Sequence, residues 1–479
     1  MDERFPSLTI TADALTPRGS FAEAQATYLS PDPQVVEQLV ALLHDRRAGI
    51  VAHFYMDAEL QGVLTAAGSP HISIADSLKM ADAAVQMARG GVQTIAVLGV
   101  DFMSENVRAV LDAAGFEHVR VFRLSSDAIG CSLAESADTP AYRAWLEAAG
   151  HTERALHVVY INTSLLTKAR AHAIVPTITC TSSNVVQTLL QAHAQIPGLR
   201  LFYGPDTYMG GNLHAMLTQL SALPEATIHE LHPQHDRQSL QRLLEGFRYF
   251  RQGTCIVHHM FGDDVVRRVR AEHGDAYLTA HLEVPGEMFA LAADAAASGR
   301  GVVGSTSNIL GFITDRVDEA VRHPGPQRLP VVLGTEAGMV TSIVSRVQAA
   351  LRSHDRCDIQ VEIVFPVASE AVAAAPGSEL GIVPGVAAGE GCSVAGGCAT
   401  CPFMKMNDLE SLFDVLEASD GPDRRAWEPR TYTERIEGRT AADLGSEPIL
   451  HMRHLQQHGV LPGALVHDVL QRPGPGGSR

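Results

Sequence analysis

Apolar positions along the chain fall into short continuous runs separated by stretches of helical period. Gly49-Ile-Val-Ala-His53, Thr94-Ile-Ala-Val-Leu-Gly99, Ala155-Leu-His-Val-Val-Tyr160, Leu199-Arg-Leu-Phe-Tyr203, Tyr277-Leu-Thr-Ala-His281 and Leu329-Pro-Val-Val-Leu-Gly334 read as strands. Asp76 to Ala88 and Asn106 to Ala114 read as helices. The alternation predicts an α/β fold of parallel sheets with helical crossovers. Residues 1–34 lack a clear period and are expected to be an N-terminal extension. Residues 366–400, rich in alanine and glycine, read as a long loop, and the segment from Pro473 as a tail.

The strands repeat a design. Three of them end in polar residues, at Ala52-His53-Phe54-Tyr55, Tyr160-Ile161-Asn162-Thr163 and Ala280-His281-Leu282-Glu283. Each is followed by a short run closing on hydroxyl residues: Asp76-Ser77, Thr181-Ser182-Ser183-Asn184 and Ser305-Thr306-Ser307-Asn308. The intervals agree, 24 residues from His53 to Ser77, 20 from Asn162 to Ser182 and 24 from His281 to Ser305. Three α/β units with short parallel sheets are therefore expected, over residues 35–125, 126–253 and 254–365, with residues 401–472 packing back on the first. A pseudo-threefold arrangement would aim all of them at one central site.

In open α/β sheets ligands sit at the carboxyl ends of strands, where loops enter helices. A serine there either caps its helix or turns its hydroxyl and the neighbouring backbone N–H groups toward an anion. Three at equivalent places favour a cradle for carboxylates and phosphate. The polar strand ends add His53, Tyr55, Tyr160, Asn162, His281 and Glu283. Histidine and glutamate exchange protons, while tyrosine and asparagine orient or polarise a carbonyl. His281 and Glu283 lie two apart, so a regular strand points both the same way, as an acid/base pair requires. A closed cavity would raise the Glu283 carboxyl to suit that work.

Composition narrows the function. A net charge of −17 with only 37 lysines and arginines argues against a nucleic-acid or anionic-membrane partner. No apolar stretch reaches the length of a membrane span. Residues 1–30 read as neither a signal nor a transit peptide, which predicts a cytoplasmic protein. Seven cysteines, odd in number and scattered, fit metal ligation or catalysis better than a disulfide framework. Cys392, Cys398 and Cys401 gather in one loop; by spacing alone that group is a metal site, a disulfide or a set of small buried residues. Cys131 precedes the second unit and Cys255 the third, so each unit junction has a cysteine, as a central metal would need; Cys180 and Cys357 have no counterparts.

These blocks together resemble the quinolinate synthase family. The resemblance rests on His53-Phe-Tyr55, Asp76-Ser-Leu78, Gly99-Val-Asp-Phe-Met-Ser-Glu105, Gly130-Cys-Ser-Leu-Ala134, Tyr160-Ile-Asn-Thr-Ser164, Thr181-Ser-Ser-Asn184, Gly253-Thr-Cys-Ile-Val-His258, His281-Leu-Glu283, Gly304-Ser-Thr-Ser307, Gly334-Thr-Glu336 and Cys401-Pro-Phe-Met-Lys-Met-Asn407, in family order. Met56, Ala75 and Leu282 depart from the common pattern without removing a reactive group. The resemblance implies three pseudo-equivalent domains around a 4Fe-4S cluster held by Cys131, Cys255 and Cys401, with one iron left open as a Lewis acid. Cys392 and Cys398 would then be spare thiols or a disulfide. It implies a transferase of NAD biosynthesis that condenses iminoaspartate with dihydroxyacetone phosphate to quinolinate, and a link to L-aspartate oxidase or aspartate dehydrogenase. Ser77, Ser182, Ser183, Ser305, Thr306, His53 and His258 would hold carboxylates and phosphate; Tyr55, Tyr160, His281 and Glu283 would move protons; Asn162 would orient the substrate. The residues also suit an iron-sulfur hydratase of another small dicarboxylate, or a non-catalytic iron-sulfur sensor, which the lack of a basic helix disfavours.

Overall fold

The computed structural model describes residues 4–366, 400–418 and 422–472. The glycine-rich stretch expected as a loop lies outside the described residues except at its ends, and with it Cys392, Cys398 and the tail from Pro473.

Three parallel sheets carry the fold. The first is built from β3 (Ala48–His53), β4 (Ile72–Ala75), β5 (Thr94–Leu98) and β6 (Arg120–Arg123), in the order β4-β3-β5-β6. The second contains β7 (Ala155–Tyr160), β8 (Thr177–Cys180), β9 (Arg200–Gly204) and β10 (Phe247–Tyr249), in the order β8-β7-β9-β10. The third contains β11 (Tyr277–His281), β12 (Gly301–Gly304), β13 (Gln327–Gly334) and β14 (Ile359–Val364), in the order β12-β11-β13-β14. Numbered within its unit, each sheet reads second-first-third-fourth. All neighbours among these strands run parallel. β3, β5 and β7 are buried along their whole length, as expected of central strands covered by helices on both faces. At Gly334 the third sheet tolerates no side chain: a Cβ there would lie 2.0 Å from the Thr279 carbonyl oxygen.

Residues expected as an extension are instead folded. β1 (Ser7–Ile10) and β2 (Leu15–Arg18) extend the third sheet, β1 pairing antiparallel with β14 so that Ser7 faces Val364 and Ile10 faces Val361. Two four-residue strands, one containing Pro17, leave almost no periodic signal; their support is the waiting edge of β14. The C-terminal segment, expected on the first unit, divides. The helix Leu409–Glu417 ties to the first unit through Arg46, which donates to the Glu417 carbonyl at 3.0 Å. The helix Ala441–His458 lies on the second: His451 Nδ1 is 3.0 Å from the Thr177 carbonyl, and a Cβ on Gly445 would meet the Leu165 carbonyl at 2.1 Å.

Five of the helices that follow strands begin on side-chain caps. Asp57, Asp76, Ser164, Asp206 and Ser305 each accept a backbone N–H of the first turn. The cap satisfies a donor that the helix cannot. It also fixes where each loop leaves its strand, which sets the residues that face the centre.

Candidate functional site

The three sheets point their carboxyl ends into one cavity, and equivalent positions line it. The last residues of the three first strands, His53, Tyr160 and His281, form one set. Two residues beyond each strand stand Tyr55, Asn162 and Glu283. Two residues beyond each second strand stand Ser77, Ser182 and Thr306, Ser77 and Thr306 opening the next helix and Ser182 in the turn that leads to it. Beyond the fourth strands come Cys131, Cys255 and Cys401.

Glu283 is the hub. Tyr160 Oη donates to its Oε1 at 2.5 Å, His258 Nδ1 lies 3.3 Å from Oε2, and His281 Nδ1 lies 3.6 Å from Oε1. The rings of His258 and His281 stack at 4.9 Å between centroids. Burial alone would raise the Glu283 carboxyl, but His258, His281 and the Tyr160 hydroxyl outweigh it and hold the group at about 2. The raised value expected for Glu283 is thus corrected: it is a carboxylate. Burial keeps His53 at about 4 and His281 at about 3, so both are neutral imidazoles, while it pushes the Tyr55 and Tyr160 phenols well up.

Tyr55 comes from the first unit but is held by the third. Its Oη is 2.9 Å from Thr306 Oγ1 and 3.0 Å from Thr335 Oγ1. Thr335 also lies 3.4 Å from His258 Nε2. Close approach makes this possible, since a Cβ on Gly338 would stand 2.8 Å from the Tyr55 Cα. The hydroxyls of Ser77 and Ser182 and the amide of Asn162 have no hydrogen-bond partner among the described residues, and all three face the cavity. They are donors available to a ligand. Ser305, by contrast, closes a capping box with Asn308, its Oγ donating to Asn308 Oδ1 at 2.7 Å. Ser183 is exposed, its Oγ 2.8 Å from Thr181 Oγ1.

The three cavity cysteines are free thiols and share one setting. Cys131 Sγ receives backbone N–H groups of Ala134 and Leu133, Cys255 that of His258, and Cys401 those of Met404 and Phe403. A sulfur cradled by amides two and three residues ahead is suited to bear thiolate charge. Burial first, and neighbouring carboxylates after it, raise all three, Cys131 to about 11. Soft donors converging from three units fit an iron-sulfur cluster or another thiophilic metal. Cys255, His258 and Glu283 also place one ligand atom each within 4.8 Å of one another, a set that a single ion could use. Cys180 is buried outside the cavity and Cys357 is exposed.

Sequence reasoning missed Thr335 and Glu336 as site residues. Glu336 lines the cavity two positions beyond β13 and accepts the Cys401 backbone N–H through Oε1 at 2.5 Å. Burial pushes its carboxyl well up. The available signal was its offset, two beyond a strand end, the same as that of Glu283.

Comparison with known proteins agrees with this arrangement. A family model described as Quinolinate synthetase A protein matches residues 37–364. A chloroplastic quinolinate synthase of Nicotiana tabacum is 54% identical over 486 residues, covering 98% of this chain and 67% of its own length. That of Arabidopsis thaliana is 54% identical over 485 residues, and that of Oryza sativa subsp. japonica 50% over 496, with 98% of this chain covered in both and 67% and 70% of the relatives. These relatives overturn the cytoplasmic location expected from residues 1–30, since all are chloroplastic. Among the described residues no helix is long and apolar enough to cross a membrane.

Proposed function

The chain belongs to the quinolinate synthase family of enzymes, and from that premise we propose that it condenses iminoaspartate with dihydroxyacetone phosphate to quinolinate, releasing phosphate and two waters. The observation that carries the reading is the Glu283 hub, where one carboxylate meets a phenol and two imidazoles inside a cavity lined by unpartnered hydroxyl and amide donors. The reaction forms one carbon–carbon and one carbon–nitrogen bond and needs no oxidant. It does need protons moved onto departing oxygens and off carbon and nitrogen.

Ser77 and Thr306, in first helical turns, and Ser182, in the turn before a helix, supply hydroxyls and, with the amides beside them, seats for carboxylates and phosphate. Ser183 and Ser305 act behind them, shaping the two loops. His53, neutral, offers a hydrogen bond without charge. Asn162 orients a substrate carbonyl or imine. Glu283 takes a proton as carboxylate and passes it to the neutral His281, while the Tyr160 hydroxyl and His258 steady its charge. Tyr55, protonated and fixed by two threonines, donates to a leaving oxygen.

Cys131, Cys255 and Cys401 would hold a 4Fe-4S cluster, which supplies a Lewis acid to ease loss of water. Replacing Glu283 by Gln is expected to cut quinolinate formation by roughly 10²- to 10⁴-fold, the usual worth of a general base, with bound iron unchanged. Retained turnover would remove Glu283 from the mechanism.

A further inference from the structure

Tyr55, Asn162 and Glu283 share more than their offset from a strand. Each sits between two backbone carbonyls that one buried side chain ties down. Gln61 Nε2 donates to the Phe54 and Met56 carbonyls, both at 2.8 Å, and also reaches the Gly338 carbonyl at 2.5 Å. Lys168 Nζ donates to the Ile161 carbonyl at 3.2 Å and to that of Thr163. Asn212 Nδ2 donates to the Leu282 carbonyl at 2.9 Å and the Val284 carbonyl at 2.7 Å. The carbonyls belong in every case to the residues just before and just after the one facing the cavity, and all three donors are buried.

Tying the carbonyl of the residue before to that of the residue after clamps the short backbone arc between them, and so restrains the Cα–Cβ direction of the residue in the middle. We propose that Gln61, Lys168 and Asn212 are positioning residues, one for each unit, that hold Tyr55, Asn162 and Glu283 in their working directions. The first two come from the helices that follow their own strands, Ala58–Ala67 and Leu165–Ile174. The third comes from Thr207–Ser221, which belongs to the second unit, so Asn212 also sets the second unit against the third. Three residue types do one job because the job asks only for a buried group with at least two N–H donors. That is why the equivalence is invisible when the repeats are laid over one another residue by residue. A long amine, a long amide and a short amide reach loops at different distances.

The kinetic part of this inference rests on the quinolinate synthase reading; the structural part does not. Gln61→Met, Lys168→Met and Asn212→Leu keep the apolar volume and remove the donors, and Lys168→Gln restores an N–H pair. In the intact, iron-loaded chain, each of the first three is expected to lower kcat about tenfold to a hundredfold, the scale of small misplacements in a site, with KM changed by less than about twofold. Lys168→Gln should recover part of that loss. Hydrogen exchange gives the second reading: in Asn212→Leu the amides of residues 281–284 should exchange faster while those of β13 do not change. An unchanged kcat, a loss confined to KM, or exchange that rises uniformly along the chain would overturn the proposal. Should the unaltered chain make no quinolinate, the functional reading falls and the exchange result alone decides the role of the braces.

Discussion

The Ser77 and Ser182 hydroxyls touch no partner among the described residues, whereas the Ser305 hydroxyl is spent on Asn308 at the start of its helix. Replacing Ser77 or Ser182 by Ala should therefore raise KM about tenfold or more, the worth of a hydrogen bond to a charged group, without lowering the melting temperature. Ser305→Ala should do the reverse, costing about 1 kcal/mol of stability as a lost cap with little change in KM. Equal effects at all three would contradict the assignment, and kinetics beside thermal melts decide it. The sequence spacing set Ser305 beside Ser77 and Ser182, but Thr306 lines the cavity in its place, and an Asn three positions on claims the Ser305 hydroxyl for its own helix. That Glu283 shares a cavity with His281 was legible from their parity on the strand. Its ionisation was not, since that depends on His258, which reaches it from another loop.

Among the elements, the first strands of the units were read closely: β7 and β11 have the bounds that their apolar runs suggest, and β3 differs by one residue. The fourth strands β6 and β10 were missed, being three or four residues long and carrying arginine. The strands also house three buried histidines, which give the fold a pH dependence. Burial lowers His53 to about 4 and His157 and His281 to about 3, each from 6.5. The unfolded chain binds a proton on each near 6.5 and the folded chain does not, so stability is full above that value and falls as pH drops below it. The loss is at most about 1.4 kcal/mol for each histidine at one pH unit below. The urea midpoint should accordingly be lower at about pH 5.5 than at about pH 7.5, and His157→Gln should flatten the difference. A midpoint indifferent to pH in this range would count against neutral buried imidazoles.

In the whole molecule, three units were legible from the recurrence of polar strand ends, but the order second-first-third-fourth was not, because a run of apolar residues does not name its neighbours. That order puts a cysteine beyond the fourth strand of every unit and brings Cys131, Cys255 and Cys401 to one cavity from positions far apart in the chain. Serine at any of the three should abolish bound iron, and serine at Cys180 or Cys357 should leave it, by iron analysis after anaerobic reconstitution. Within the group Cys392, Cys398 and Cys401, loss is expected only at Cys401. The most direct measurement supplies the reconstituted chain, without oxygen, with dihydroxyacetone phosphate and freshly generated iminoaspartate, and follows quinolinate and phosphate together. The account predicts one phosphate for each quinolinate formed. A fully iron-loaded chain that forms no quinolinate would contradict it.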